Sequence, residues 1–434
     1  MPNVVLISLD AVRADQLPFY GYERDTTPAL AALAAKGAVF ENSYSQAPNT
    51  VATHGSLFTG RYPFQHRMYA QRHYLEEKEH TLAEYLRHHG YRTFAIASSI
   101  RFEPMSGYPQ GFERYETLYH LEKNERSARV TDLALKNAEM DASKPFFAFL
   151  HYFDAHIPYE APEPYRKLWH PGLPAPRPED TVDFTRRNRR LKAVVDPKVI
   201  DYLRALYDGA LRYQDESVGR LFEELEAASG GRPTLWIVTA DHGEEFKEHG
   251  YLTHSFHLHE ELVRVPLVMV LPGVIEAGRR IGAPIQTVDL FPTIAELLGL
   301  PMSEELPGRS FAARLKGGAD LAQSDDTEAR DVVILEAARK WGVIATLATG
   351  RFKLVMGRGG ALYRLDVDPN ADVDVTDRYP AERRQLFLIS KEVGLQQARS
   401  AGIDASPRRE RPTEAEVLER LRAIGYVEEA EAAR

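Results

Sequence analysis

The chain has no cysteine among its 434 residues. Disulfides, thiolate metal ligands and a cysteine nucleophile are therefore excluded. Basic charge is not in excess either: the formal net charge is −9, whereas nonspecific nucleic-acid binding needs a basic surface. The one basic run, Arg186-Arg187-Asn188-Arg189-Arg190 with Lys192, reads as a solvated loop or helix face. No apolar stretch approaches the ~20 residues that span a bilayer, so no integral membrane association is expected. The opening Met-Pro-Asn-Val-Val-Leu-Ile-Ser-Leu-Asp has no basic flank and a short apolar run. It reads as a buried strand and not as a secretory leader, and a soluble, cytoplasmic chain is expected. What is present is an ordinary balance of apolar and charged residues, on a chain long enough for two or three domains.

The apolar runs alternate with helical segments. Val4–Leu9 reads as a continuous strand ending at Asp10. Thr26-Thr27-Pro28 signals a helix through Ala29–Lys36, stopped by Gly37. Further strands are expected at Val39-Phe40, Tyr91–Ala97, Pro145–His151, Thr234–Ala240 and Val265–Leu271, with helices at Leu82–His89, Asp201–Ala228 and Thr293–Leu298. This alternation predicts an α/β domain with a mostly parallel sheet. Asp10 and Asp241 each follow an apolar strand, at the strand ends where such sheets place ligands. Tyr165–Pro197 is rich in proline and charge and suits a surface excursion over the site. Beyond a polar link at Asp320–Asp331, short strands at Val332–Leu335, Gly342–Ala348, Phe352–Met356 and Leu362–Leu365 predict a small antiparallel sheet. An amphipathic helix, Thr413–Tyr426, is expected to pack on it. The domains expected are 1–325, catalytic, and 326–434, a small α+β unit.

The stretch Ser45–Pro63 sets hydroxyls, a histidine and an arginine between apolar segments. Small hydroxyl residues and glycine near a helix start let backbone N–H groups approach an anion. Thr50 is the candidate nucleophile, in company with Asp10, His156 and Asp241-His242-Gly243-Glu244.

Several motifs together resemble the sulfatase family of the alkaline phosphatase superfamily. They are Ile7-Ser8-Leu9-Asp10-Ala11-Val12-Arg13-Ala14-Asp15, Leu57-Phe58-Thr59-Gly60-Arg61-Tyr62-Pro63, His151-Tyr152-Phe153-Asp154-Ala155-His156-Ile157-Pro158 and Asp241-His242-Gly243-Glu244. Arg264-Val265-Pro266-Leu267, Asp289-Leu290-Phe291-Pro292-Thr293 and Arg351-Phe352-Lys353-Leu354 continue the match downstream. The resemblance implies an alkaline-phosphatase/sulfatase-like α/β sandwich, a smaller C-terminal sheet domain, and a divalent metal beside the nucleophile.

Departures from the family pattern shape the expected chemistry. Sulfatases carry Cys (or Ser)-x-Pro-x-Arg, whose first residue becomes formylglycine. Here the motif reads Thr50-Val51-Ala52-Thr53-His54, so the formylglycine precursor, the proline and the arginine are missing. The family's Gly-Lys-Trp-His-Leu-Gly segment falls near Ala97-Ser98-Ser99-Ile100-Arg101-Phe102, its second N-terminal aspartate is Ala11, and a later lysine is His254. Asp10, Thr50, Asp241 and His242 resemble the single-metal set of threonine-nucleophile phosphotransferases and phosphodiesterases. One divalent ion is expected there, with Mn²⁺ or Zn²⁺ favoured by the imidazole and Ca²⁺ or Mg²⁺ less so.

A metal-bound threonine hydroxyl can act as a nucleophile near neutral pH. His156 and His254 are expected to bind substrate oxygens or protonate the leaving group, and His54, in place of a functional arginine, to be a weakened anion contact or to have no role. Lys353 is placed near the cleft rim, outside the core site. The expected activity is hydrolysis of phosphate mono- or diesters or phosphonates through Thr50, or phosphoryl transfer. The alternatives are a sulfuric ester hydrolase without formylglycine and an inactive anion-binding relative. The expected partner is a small anionic ester and not a nucleic acid. The sequence leaves the leaving group and the oligomeric state open.

Overall fold

Alternation along the first strand, Asn3–Leu9, sets the plan of the molecule. Side chains of a strand point to opposite faces in turn. Val5, Ile7 and Leu9 enter one apolar cluster, while Val4 and Leu6 enter a second on the other face. A strand buried on both faces belongs inside a sheet covered by helices on each side. That is the arrangement in the computed structural model. It describes residues 1–403 apart from 71–72, 142, 171–180, 182–183, 188–193, 229, 303–304, 317–332, 340–341, 350–351 and 357–359.

The central sheet has eight strands, ordered Arg279–Ile281, Ala38–Phe40, Leu267–Val270, Thr234–Ala240, Asn3–Leu9, Phe146–Tyr152, Arg92–Ala97 and Arg114–Thr117. Leu267–Val270 runs antiparallel to both its neighbours, and the other pairings are parallel. The α/β, mostly parallel architecture expected from the sequence is thus present. The long helix Pro197–Ala228 and the helix Lys123–Glu139 cover one face. Thr50–Thr59, Leu82–His88 and Leu290–Leu297 cover the other. Asp215 on the long helix accepts hydrogen bonds from the amides of Ala29 and Leu30 at 2.7 and 2.9 Å. It thereby satisfies donors that a helix N-terminus leaves open.

Four strands, Val333–Arg339, Gly342–Thr349, Phe352–Val355 and Ala361–Arg364, form the small antiparallel sheet. A helix does pack on it, but this helix is Pro380–Ile403, whose Leu386 joins Phe352, Leu354 and Leu362. The helix expected at Thr413–Tyr426, the link Asp320–Asp331 and the divide at residue 325 lie outside the described residues. So does much of the Tyr165–Pro197 excursion; its described start, Tyr165–Lys167, lies against the long helix, where the Tyr165 carbonyl leaves no room for a Cβ at Gly209. Lys353 is buried rather than at a cleft rim: its ammonium donates to Glu260 at 2.6 Å and to the carbonyl of Leu258. This contact ties the small sheet to the segment after the Asp241 strand.

The core beneath the future site is aromatic. Phe149 lies 4.7 Å from Phe58 and 5.7 Å from both Phe102 and His54, centroid to centroid. Phe149→Ala would leave a cavity that rigid neighbours cannot fill, so a loss of about 3–5 kcal/mol is expected. Chemical denaturation checks this, and a loss below about 1 kcal/mol would mean that the core relaxes around the gap.

Candidate active site

The same parity that splits the core gathers the site. Counting on from Val4 and Leu6 gives Ser8 and Asp10; from Phe147 and Phe149, His151; from Leu235 and Ile237, Asp241. The strands are in parallel register, with Ser8 opposite both His151 and Thr239. Neighbouring strands thus deliver Asp10, His151 and Asp241 to one edge and one face. His151 Nε2 lies 3.2 Å from Asp10 Oδ2. That face is the one covered by the helix Thr50–Thr59.

All ten residues of that helix are buried, and Asn49 caps it by accepting from the Ala52 amide at 3.0 Å. Its first residue, Thr50, faces the strand ends. Thr50 Oγ1 is 3.5 Å from Asp10 Oδ2 and 3.3 Å from His242 Nε2. The positive end of a helix at this point favours negative charge developing beside it.

His242 has a defined orientation. Its Nδ1 sits 2.8 Å from the Gly243 carbonyl, so Nδ1 donates there and Nε2 is turned towards the carboxylates. Nε2 lies 3.7 Å from Asp10 Oδ1 and 3.5 Å from Asp241 Oδ2. Asp241 Oδ1 accepts from the amides of Ala11 and His242, at 3.1 and 2.9 Å. Gly243 lets the backbone pass close by, since a Cβ there would fall 1.9 Å from the Glu261 carbonyl oxygen.

Asp10 Oδ1 and Asp241 Oδ2 are buried and accept no hydrogen bond among the described residues. Buried carboxylate oxygens left this way are costly unless a cation meets them. Asp10, Asp241 and His242 can each offer one atom within 4.8 Å of the others. Burial raises the Asp10 carboxyl above its usual range, against the opposing pull of His242, His254, Lys123 and Arg101. The donors fit a divalent cation of intermediate softness, with Thr50 Oγ1 at its edge.

His156 and His254 meet over this hollow, their ring centroids 4.9 Å apart. His156 stacks on Phe153, and its Nδ1 lies 2.6 Å from the Ile157 carbonyl. Burial, with His254 and Lys123 nearby, holds its pKa well below the ordinary value. It is therefore neutral, with Nε2 as an acceptor. For His254, burial works against the charged form, but the Glu244 carboxylate 3.0 Å from its Nδ1 outweighs it and raises the pKa. One imidazole is poised to accept a proton and the other to donate one. A cleft of about 240 Å³ opens between them, lined by Asn49, Thr50, Tyr69, Arg101, His156 and His254 among others.

His54 is the predicted residue that the structure sets apart. It is fully buried, its Nε2 is 2.9 Å from Ser8 Oγ, and its Nδ1 is 2.8 Å from the Thr50 carbonyl. Burial pushes its pKa down to about 3. It carries no charge for an anion and does not line the cleft, so the expected anion contact is replaced by a brace between helix and strand.

Three residues not singled out from the sequence, and Glu244, named there only within the Asp241–Glu244 run, sit at the hollow. Arg101 lines the cleft inside the very segment whose lost lysine and histidine suggested that cations were missing. Lys123 donates to the carbonyls of His156 and Pro158, with its pKa lowered to about 8 by burial. Glu244 is buried behind His254, and His151 lies beside Asp10. The alternation argument could have found His151; Lys123 left no signal, because it arrives from a helix on the far side of a loop.

The buried carboxylate–imidazole–hydroxyl hollow lies at the edge of a helix-covered sheet, and the family to which the chain is matched makes it a hydrolase acting on ester bonds. The family profile described as Sulfatase matches residues 2–300, and that of the N-sulphoglucosamine sulphohydrolase C-terminal region matches 247–375. The chain belongs to the sulfatase family, within the alkaline phosphatase superfamily. Among its relatives, the ulvan-active sulfatase of Formosa agariphila is 25% identical over 78% of this chain and 68% of its own length. The multifunctional alkaline phosphatase superfamily protein PehA of Trinickia caryophylli is 28% identical, over 73% of this chain and 77% of its own. In fold, the phosphonate monoester hydrolase of Agrobacterium radiobacter superposes with a TM-score of 0.76 at 23% identity, covering 92% of this chain and 96% of that one. Enzymes of this superfamily generally use a divalent metal ion.

Two outcomes are expected from the hollow. Asp241→Asn should lose one equivalent of bound metal, read by elemental analysis after desalting. Chelation should cost more stability at pH 8 than at pH 5. In the metal-free chain, burial keeps the folded pKa of Asp10 raised, so its contribution declines as pH rises past the unfolded carboxylate value of about 4. The metal-bound chain keeps the carboxylate ionised and is spared that decline. Melting curves with and without chelator that differ equally at both pH values would contradict this.

Proposed function

We propose that the chain is a metal-dependent hydrolase of phosphate mono- or diesters or phosphonates, acting through a covalent intermediate on Thr50. The observation that carries this is the placement of Thr50 Oγ1, an unmodified alcohol at a helix N-terminus, against the Asp10 carboxylate and His242 Nε2, in the hollow where Asp10 and Asp241 each keep one unsatisfied oxygen. Asp10, Thr50, Asp241 and His242 would hold the ion, with Mn²⁺ or Zn²⁺ favoured by the imidazole. When bound, it lowers the pKa of the hydroxyl and offsets charge on the substrate oxygens.

The remaining work falls to the chain's own groups. Thr50 Oγ1, its proton given up to solvent, forms the bond to phosphorus while the bond to the leaving oxygen breaks on the opposite side. Protonated His254, held by Glu244, gives its Nε2 proton to the departing alcohol. Neutral His156, its Nδ1–H directed at the Ile157 carbonyl, takes a proton from the water that releases the phosphothreonine. An alcohol in place of water would make the reaction a transfer. Arg101 in the cleft wall binds a charged substrate oxygen. The name of the phosphonate monoester hydrolase supports the phosphorus reading by likeness, and that of the ulvan-active sulfatase keeps a sulfuric ester as the competing substrate.

Turnover of bis-p-nitrophenyl phosphate, p-nitrophenyl phenylphosphonate, p-nitrophenyl phosphate and p-nitrophenyl sulfate separates these. Thr50→Ala should lower kcat on the phosphorus esters by at least about 10³-fold, and Thr50→Ser should keep it within about tenfold. Full activity in Thr50→Ala would overturn the covalent route, and cleavage of the sulfate alone would overturn the substrate class. Because His254 must be protonated and its pKa is raised, kcat should fall as pH rises through a value above about 6.5. Glu244→Gln should move that limb to lower pH; an unmoved limb would remove His254 from the acid role.

A further inference from the structure

A second group of imidazoles and carboxylates lies just beyond the active site, on the opposite side of the same chain segment. Glu245-Phe246 pairs antiparallel with Leu252-Thr253. Extended backbone turns successive side chains to opposite sides. Glu244 accordingly meets His254 over the active site, while Glu245 turns away to His257 and His259. His259 Nδ1 is 2.6 Å from Glu245 Oε1, and His257 Nδ1 is 3.5 Å from Glu245 Oε2. His249 stacks on His259 with centroids 4.0 Å apart, and its Nε2 lies 3.4 Å from Glu261 Oε2. The other oxygen of Glu261 has no hydrogen-bond partner among the described residues, although the residue is only 8% exposed.

We infer that His249, His259 and Glu261 form a second metal site, which takes one divalent ion of the Zn²⁺ type, with Glu245 behind it accepting from His259 Nδ1. Two ligand triads lie here, Glu245–His257–His259 and His249–His259–Glu261, and the donor atoms within each are within 4.8 Å of one another. His259 is common to both and is the ligand the site depends on. Two imidazoles with one carboxylate match the donors that zinc prefers over calcium or magnesium. The bare oxygen of Glu261 is what such an ion would satisfy. A cavity of about 410 Å³, lined by His249, Glu248, Glu261 and Arg13 among others, gives the ion a way in. The ion would pin the 245–253 hairpin to the 257–261 segment, and so fix the loop that carries His254. No step of the proposed reaction is needed for this site.

The test counts metal in the full chain. Wild type, stripped and reloaded with Zn²⁺, is expected to hold two ions. His259→Gln and Glu261→Gln should each hold one. Asp241→Asn should keep the second ion, and Co²⁺ loaded into that variant should give the visible absorption of a low-coordinate nitrogen–oxygen site. The wild-type count keeps the test decisive if His259→Gln fails to fold. One ion in wild type, with none left in Asp241→Asn, would overturn the second site while leaving the first intact. Two ions retained in a folded His259→Gln would overturn the assignment of these ligands.

Discussion

Two carboxylates face a common hollow from adjacent strand ends, each with a buried oxygen that nothing in the described protein satisfies. Like charges brought together out of water cannot both stay ionised without a cation. The rest of the site is arranged around that constraint. The Gly243 carbonyl fixes His242 so that its Nε2 points inward. The amides of Ala11 and His242 take the other oxygen of Asp241, leaving one oxygen per aspartate for an ion. Thr50 is brought to the same place by a helix whose every residue is buried.

The burial of that helix explains His54. At a position where an arginine would reach substrate in the family pattern, this chain has a neutral imidazole that bonds Ser8 and the Thr50 carbonyl. The change puts a contact that holds the start of the Thr50 helix where the family pattern has an arginine. Arg101 supplies a cation from a different direction. The net effect is a pocket with fewer positive charges, but not without them, and with a proton donor and acceptor in His254 and His156. That suits an ester whose leaving group needs protonation.

The strands were legible because each is a continuous apolar run ended by a polar residue. Alternation within them also encodes which end residues converge, so the pairing of Asp10 and Asp241 is written in the strands themselves. Helix Pro380–Ile403 was not legible: its apolar face is narrow, and what recruits it is the small sheet. Lys123 was missed, and Glu244 was named only as part of its run, for a related reason. Their roles come from contacts across loops, with the carbonyls of His156 and Pro158 and with His254, and no local spacing records such contacts. Arg101 was overlooked because the segment holding it was compared with a family pattern for what it had lost. Lys353 was misplaced by the same reasoning, since its partner Glu260 lies 93 residues away.

The proposed mechanism stands on a covalent bond between Thr50 and phosphorus during turnover. The most direct measurement is mass spectrometry of protein quenched in acid while it turns over bis-p-nitrophenyl phosphate, followed by peptide mapping. The account predicts a phosphoryl-ester adduct on Thr50 whose appearance and decay keep pace with turnover. An active enzyme that never carries an adduct, with solvent oxygen entering the product in a single step, would contradict it.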